Sequence, residues 1–258
     1  MTAPRTSKQT IQIDESPAAV AADTAEMFVE LARQAHDARA PFRVALSGGS
    51  TPRLLYGLLA SDTFRNEVDW GHIQFFLGDE RWVPHTSKDS NYKLADDELF
   101  SKVPVNRDNL FPAPTEGLSP EEAAEQYEQT LRTAFKVTGS ELPSFDLIFL
   151  GMGDDGHTAS LFPHTAALKE EHKLVAANYV EKLATHRITL TAPVLCVAKQ
   201  VLFVVVGEDK APALKEVLEG PYNPDEYPSQ LLRNAQGQVT WLVDNAAASL
   251  LEKSGRDA

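Results

Sequence analysis

Apolar positions along the chain fall into two alternating patterns. One is a set of short, nearly continuous runs: FRVAL (Phe42–Leu46), IQFFL (Ile73–Leu77), FDLIFL (145–150), VLFVVV (201–206) and VTWLV (239–243). Each is too short for a typical helix and is bounded by glycine, proline or polar residues, the pattern of a strand buried on both faces of a parallel sheet. Residues 11–13 and the alternating run 187–191 read as further strands. The other pattern is helical spacing. It predicts helices over 17–40 (Val20, Met27 and Leu31 on one face), 52–59, 93–100, from Ser119 to about Val137, and through Leu218 after the turn at 207–210. Thr51 reads as the N-cap of the second, with Pro52 at its first position. Ser119-Pro120-Glu121-Glu122 carries helix-start chemistry. A last helix is expected from Asp244. Residues 101–120 hold four prolines and 221–228 three more, so both are connectors. Strand and helix alternate throughout, which predicts a doubly wound α/β domain with a mainly parallel sheet flanked by helices.

In such a sheet ligands bind beyond the carboxyl ends of the strands. Four strand-end loops, 47–51, 78–84, 151–163 and 207–210, are expected to gather there. The first, Ser47-Gly48-Gly49-Ser50-Thr51, leads from a strand into a helix, so its backbone N–H groups and the helix dipole suit a phosphate. Read alone, it serves equally as a turn that needs glycine for its dihedrals. The second, GDERWVP, puts three charges directly after an apolar strand. The third, GMGDDGHTASLFP, concentrates glycines, two aspartates and a histidine that a core would not hold.

That third loop admits several chemistries. Gly151-Met152-Gly153-Asp154-Asp155-Gly156 satisfies a dinucleotide fingerprint, yet two carboxylates would face the pyrophosphate and Pro163 leaves little room for the required helix. A metal site of Asp155, His157 and His164 matches no known ligand spacing. The nucleophile motif G-x-S-x-G occurs nowhere in the chain. An acid/base site remains, with His157 as the proton carrier and Asp155 holding its ring.

Composition narrows the partners. Hydrophobic residues make up 43% and charged residues 24% of the 258, the balance of an ordinary globular enzyme. The N-terminal stretch lacks the apolar core of a secretory signal. A single cysteine, Cys196, cannot form an internal disulfide, which suits a reducing, cytoplasmic setting. A net charge of −13 argues against nucleic acid and anionic membranes. It also obliges any anionic substrate to find a local cluster of cations.

The motifs SGGSTP at 47–52, GDERWVP at 78–84, SN at 90–91, GMGDDGHTASLFP at 151–163, RITLT at 187–191 and GEDKAPAL at 207–214 come in the order found in the 6-phosphogluconolactonase family, which the chain resembles over nearly its whole length. SGGSTP and GEDKAPAL are shared with the related glucosamine-6-phosphate deaminases. The resemblance implies one modified Rossmann-like, sugar-phosphate isomerase-like domain over residues 1–258, with no metal or other cofactor, as a monomer or weak homodimer. It implies hydrolysis of 6-phospho-D-glucono-1,5-lactone in the pentose phosphate pathway. The same resemblance puts the substrate phosphate on the turn at 47–51 with Arg187 and Lys210. It makes His157 the base for an attacking water and Asp155 its orienting partner. Arg81 is assigned to substrate or oxyanion, Asp79 to ordering Arg81 or to a sugar hydroxyl, and Asp154 to no role. Two rivals are a deaminase-like sugar-phosphate isomerase, which the GDERWVP loop disfavours, and a non-catalytic sugar-phosphate sensor, which has no need of His157.

Overall fold

The computed structural model of the protein describes residues 9–252; the tail 254–258 and most of the polar N-terminal stretch lie outside them. Its strands are β1 (Gln9–Asp14), β2 (Phe42–Leu46), β3 (Ile73–Leu77), β4 (Asp79–Arg81), β5 (Leu110–Phe111), β6 (Leu147–Leu150), β7 (Val175–Val180), β8 (Thr185–Leu190), β9 (Gln200–Val205) and β10 (Gln238–Asp244). The α-helices are α1 (Pro17–Asp37), α2 (Ser50–Leu59), α3 (Asn91–Ala95), α4 (Pro120–Phe135), α5 (Ala192–Cys196) and α6 (Ala211–Leu218). Seven strands form one sheet in the order β1-β10-β9-β6-β2-β3-β5, every pair parallel.

Burial explains why these runs lack alternation. In β6, Leu147 and Phe149 join the apolar layer under α1 and α2, while Ile148 and Leu150 join the layer under α4, α5 and α6. All four are at most 1% exposed, so both sides of the strand must be apolar. The chain runs from β2 outward through β3 to β5, then returns to place β6 on the other flank of β2. This reversal opens a crevice between the loops that follow β2 and β6, the place where open α/β sheets bind ligands.

Several elements differ from the sequence reading. Thr51 does not cap α2. Gly49 is the N-cap, at φ 116°, a conformation that lets the chain turn straight into a helix starting at Ser50. α3 begins at Asn91 under a Ser90 cap and runs into a π-turn over Asp96–Phe100. Among the described residues beyond Asp244 there is no helix but a succession of turns; the Asp244 carboxylate accepts Ala247 N–H at 2.8 Å and Gly207 N–H at 3.0 Å. The GDERWVP segment is not wholly loop. Residues 79–81 form β4, which pairs antiparallel with β8, and β8 with β7, in a second, three-stranded sheet. Gly78 joins the two sheets: its N–H donates to Leu46 O at 2.8 Å, and its carbonyl accepts Leu190 N–H at 2.9 Å.

The junction is braced from α4. The buried Tyr127 hydroxyl donates to Leu77 O at 2.9 Å and accepts Leu77 N–H at 2.8 Å, closing both polar groups of the last β3 residue. Tyr127→Phe leaves that buried peptide unpaired and should destabilise the protein by about 1–3 kcal/mol. Denaturant unfolding reads this; a change below about 0.5 kcal/mol means that the bridge carries no stability.

Candidate active site

The crevice beyond β2 and β6 is a cleft of about 370 Å³. It brings together Ser47, Gly48, Asp79, Arg81, His157, Arg187 and Lys210, which come from all four strand-end loops and from β8. Gly49, Ser50 and Thr51 do not line it, and Asp155 stands behind His157 rather than in the cleft wall. A larger groove of about 530 Å³ lies between α4 and β7. It is walled by glutamates, Glu121, Glu122, Glu125, Glu128 and Glu170 among them, and would repel an anion.

His157 is held from several sides. Its Nδ1 lies 2.6 Å from Asp155 Oδ1, which also accepts the His157 backbone N–H at 3.2 Å. The imidazole stacks on Phe162 with ring centres 3.9 Å apart. Gly153 N–H donates to His157 O at 2.9 Å, and a side chain at 153 would meet Nδ1 at 2.0 Å, so only glycine fits against the ring. Gly156, at φ 72°, makes the turn between the two carboxylates and the histidine. The glycines of the fingerprint thus serve the histidine's turn, and the next regular element after the loop is a single 3-10 turn, Ala166–Lys169. Lys182 forms an ion pair with Asp155 Oδ2. Burial alone would raise the Asp155 carboxyl, but the bonds from His157 and Lys182 outweigh it and hold the group well below its ordinary range.

The cations come from the second sheet. Arg81 on β4 and Arg187 on β8 are direct cross-strand partners. Like charges in that position destabilise a sheet, so the pair marks a place for anionic groups. Among the described residues neither forms an ion pair; Arg81 Nη1 donates to Asp89 O at 2.8 Å. Burial first, then the charge of Arg81, lowers the pKa of Arg187. Lys210 faces the same cleft beside Asp209, 3.0 Å away.

Asp79 does not order Arg81. Its Oδ2 accepts the Ser160 hydroxyl at 2.6 Å and its Oδ1 the Asn91 amide at 3.3 Å. Asn91 also packs on Gly48, where a Cβ would fall 1.7 Å from Oδ1. His164 pairs with Glu226 instead of joining His157, so the trio with Asp155 does not assemble. Among the described residues one group of side chains converges as a metal would require: His36, Asp69 and His72, at the amino ends of β2 and β3, the opposite edge of the sheet.

Sequence reasoning missed Asn91, Ser160, Phe162 and Lys182 in the cleft. The first three lie in quoted motifs but carry no obvious chemistry. Lys182 sits in the β7–β8 hairpin, whose left-handed turn residue is Ala184 at φ 48°, where glycine or asparagine would have signalled a turn.

The family described as glucosamine-6-phosphate isomerases/6-phosphogluconolactonase matches residues 15–241. A 6-phosphogluconolactonase of Synechocystis sp. is 41% identical over 208 residues, 81% of this chain and 84% of that protein. One of Nostoc sp. is 37% identical over 244 residues, covering 95% of this chain and 99% of the relative. The solved 6-phosphogluconolactonase of Trypanosoma brucei superposes with a TM-score of 0.84 at 29% identity, covering 95% of this chain and 100% of that one.

The depressed Asp155 carboxyl makes a pH prediction. Its folded value lies below the ordinary 3.8, so the stability it contributes is present above that value and is lost as pH falls through the folded one. The carboxyl carbon of Asp155 should therefore show no NMR titration from about pH 7 to 4, and Lys182→Met should raise its midpoint. A wild-type midpoint at or above the ordinary 3.8 contradicts the geometry.

Proposed function

The chain belongs to the glucosamine-6-phosphate isomerase/6-phosphogluconolactonase family, and from that premise we propose that it hydrolyses 6-phospho-D-glucono-1,5-lactone to 6-phospho-D-gluconate, the second step of the oxidative pentose phosphate pathway. The observation that carries this reading is the Asp155–His157 pair facing a cleft that also holds Arg81, Arg187 and Lys210.

An ionised carboxylate only accepts hydrogen bonds, so the proton between Asp155 and His157 sits on Nδ1, and in the neutral ring that acts as base the lone pair is on Nε2. Nε2 takes a proton from a water that attacks C1 of the lactone. The carbonyl electrons move onto its oxygen, and Arg81 is the cation placed to stabilise that charge. When the C1–ring oxygen bond breaks, the imidazolium returns its proton to the departing ring oxygen, leaving a carboxylic acid that ionises to product. Atoms and charge balance without a covalent enzyme intermediate. Stacking on Phe162 restricts the ring to the orientation this exchange needs.

Arg187 and Lys210 hold the phosphate at the other end, beside the turn that starts at Ser47. Tyr56 fixes that turn by donating its hydroxyl to Ser47 O at 2.6 Å. Asp79, anchored by Ser160 and Asn91, accepts a sugar hydroxyl.

Turnover of freshly generated lactone above its spontaneous hydrolysis, with no ammonia released from glucosamine 6-phosphate, is the primary test. Failure of the first favours a sugar-phosphate sensor, and ammonia release favours a deaminase. His157→Ala should lower turnover about 100-fold or more with little change in KM, since general-base catalysis contributes on that scale. Retention of more than about half the activity removes His157 from the mechanism.

Binding has its own test. A charge-assisted contact contributes roughly 1.5–3 kcal/mol, so Arg187→Ala or Lys210→Ala should raise KM about 10- to 150-fold. Turnover at saturation should fall less, and inhibition by inorganic phosphate should weaken in parallel. If both variants keep KM and phosphate inhibition, the phosphate is held elsewhere.

A further inference from the structure

At the edge of the sheet opposite the cleft, three ligating side chains meet from two elements. His36 lies in the last turn of α1, and Asp69 and His72 bracket the short 3-10 turn Trp70–His72 that leads into β3. Asp69 Oδ2 is 3.2 Å from His36 Nδ1 and 2.7 Å from His72 Nδ1. One ligating atom from each residue lies within 4.8 Å of the others. Three donors about 2.0–2.1 Å from a tetrahedral ion stand roughly 3.3 Å apart, so the spacing needs little adjustment to accept one. We infer that His36, Asp69 and His72 form a binding site for a divalent transition-metal ion of the zinc class, with one coordination position open to water.

The backbone prepares this arrangement. His72 N–H donates to Asp69 O at 3.2 Å, and residues three apart on such a turn share one side. The buried Trp70 between them donates its ring N–H to Arg65 O at 2.8 Å and stacks on Phe28 of α1 with ring centres 6.0 Å apart. Asn109 grips the same turn through Gly71 O at 3.0 Å. The turn that carries two ligands is thereby fixed against the helix that carries the third. The two imidazoles meet at 87° with centres 5.6 Å apart, so neither stacks over the other's ligating edge.

A plain hydrogen-bonded trio explains this less well. The side chains of His36, Asp69 and His72 are 54%, 41% and 65% exposed, and exposed ion pairs stabilise little against the entropy of ordering them. A metal ion supplies the missing driving force. The carboxyl end of α1 adds negative potential, which favours a cation there. Two imidazoles and one carboxylate suit zinc, nickel, cobalt or copper rather than magnesium or calcium, which prefer oxygen ligands. Arg39 and Asp37 share the adjoining 450 Å³ hollow; Asp37 is paired with Arg33, and Arg39 opposes a cation. The site ties the end of α1 to the start of β3 and so acts on stability, remote from the chemistry.

The test uses the full, untagged chain and Zn²⁺ alone. Titration calorimetry should find one ion bound more tightly than about 0.1 mM. Outer-shell changes at metal sites cost about 10- to 100-fold in affinity, so His36→Gln or His72→Gln, each removing a ligand, should cost at least that. Zn²⁺ should raise the Tm of wild type and of His157→Ala, but not of the His36→Gln/His72→Gln double variant. That double variant should keep wild-type lactone turnover in the absence of Zn²⁺. Absence of binding to wild type at that affinity overturns the inference. So does binding that survives in the double variant or is lost in His157→Ala, since the ion would then sit elsewhere.

Discussion

The cleft depends on one buried carboxylate. Glu80, 0% exposed in the middle of β4, accepts Arg81 N–H at 2.7 Å, Asn91 N–H at 2.7 Å, Tyr92 N–H at 2.8 Å and the Ser90 hydroxyl at 3.0 Å. Burial raises its pKa above the ordinary carboxylate value, and these four donors offset only part of that. The first turn of α3 supplies two of the N–H groups, which a helix leaves unpaired at its start. Because side chains alternate along a strand, fixing Glu80 inward directs Asp79 and Arg81 to the cleft on either side of it. The same bonds bring Asn91 onto Gly48. A single buried carboxyl group thus sets the spacing between the turn at 47–51, Asp79 and the arginine pair.

The two sheets divide the work. The parallel sheet supplies a rigid floor and the crevice, and the antiparallel one supplies Arg81, Arg187 and, at its hairpin, Lys182. The loop that carries His157 lies between them under strain. Ala159 at φ 47° and His164 at φ 62° occupy a region that L-residues with side chains disfavour. The surroundings enforce it: Thr158 donates to Gly151 O at 2.9 Å, Asn178 to Ser160 O at 2.8 Å, and Ser160 N–H to Thr189 Oγ1 at 3.2 Å. Such enforcement is a common mark of preorganised sites.

The parallel strands were legible because burial on both faces leaves nearly pure apolar runs, and VLFVVV or FDLIFL can be little else. The convergence of the four strand-end loops followed from that alternation alone. Three features were hidden for physical reasons. β4 is three residues long and charged, and its strand character comes from pairing with β8 rather than from its own composition. The β7–β8 hairpin turns on Ala184, without the residues that announce a turn. The segment after Asp244 had helix-like composition, yet its i,i+3 bonds, such as Leu251 N–H to Ala248 O, close it into turns. Of the site, charged residues were readable from their placement after strands. Asn91 and Ser160 were not, because their part is to hold Asp79, and that depends on contacts remote in sequence.

Charge balance finally bears on both ends of the reaction. Four cations border the cleft, but Lys182 is neutralised by Asp155 and Lys210 lies beside Asp209. Among the described residues Arg81 and Arg187 are the cleft cations without an ion pair, with Asp79, Glu80 and Asp89 acting on Arg187 only at longer range, and at about 8 Å the screening length in physiological salt confines their influence to the cleft itself. Inside that range they outweigh the net −13 of the chain; outside it an anion meets the acidic surface. On the proposed reading, hydrolysis gives a phosphorylated lactone a carboxylate, so the product meets the same acidic surface with one more negative charge than the substrate.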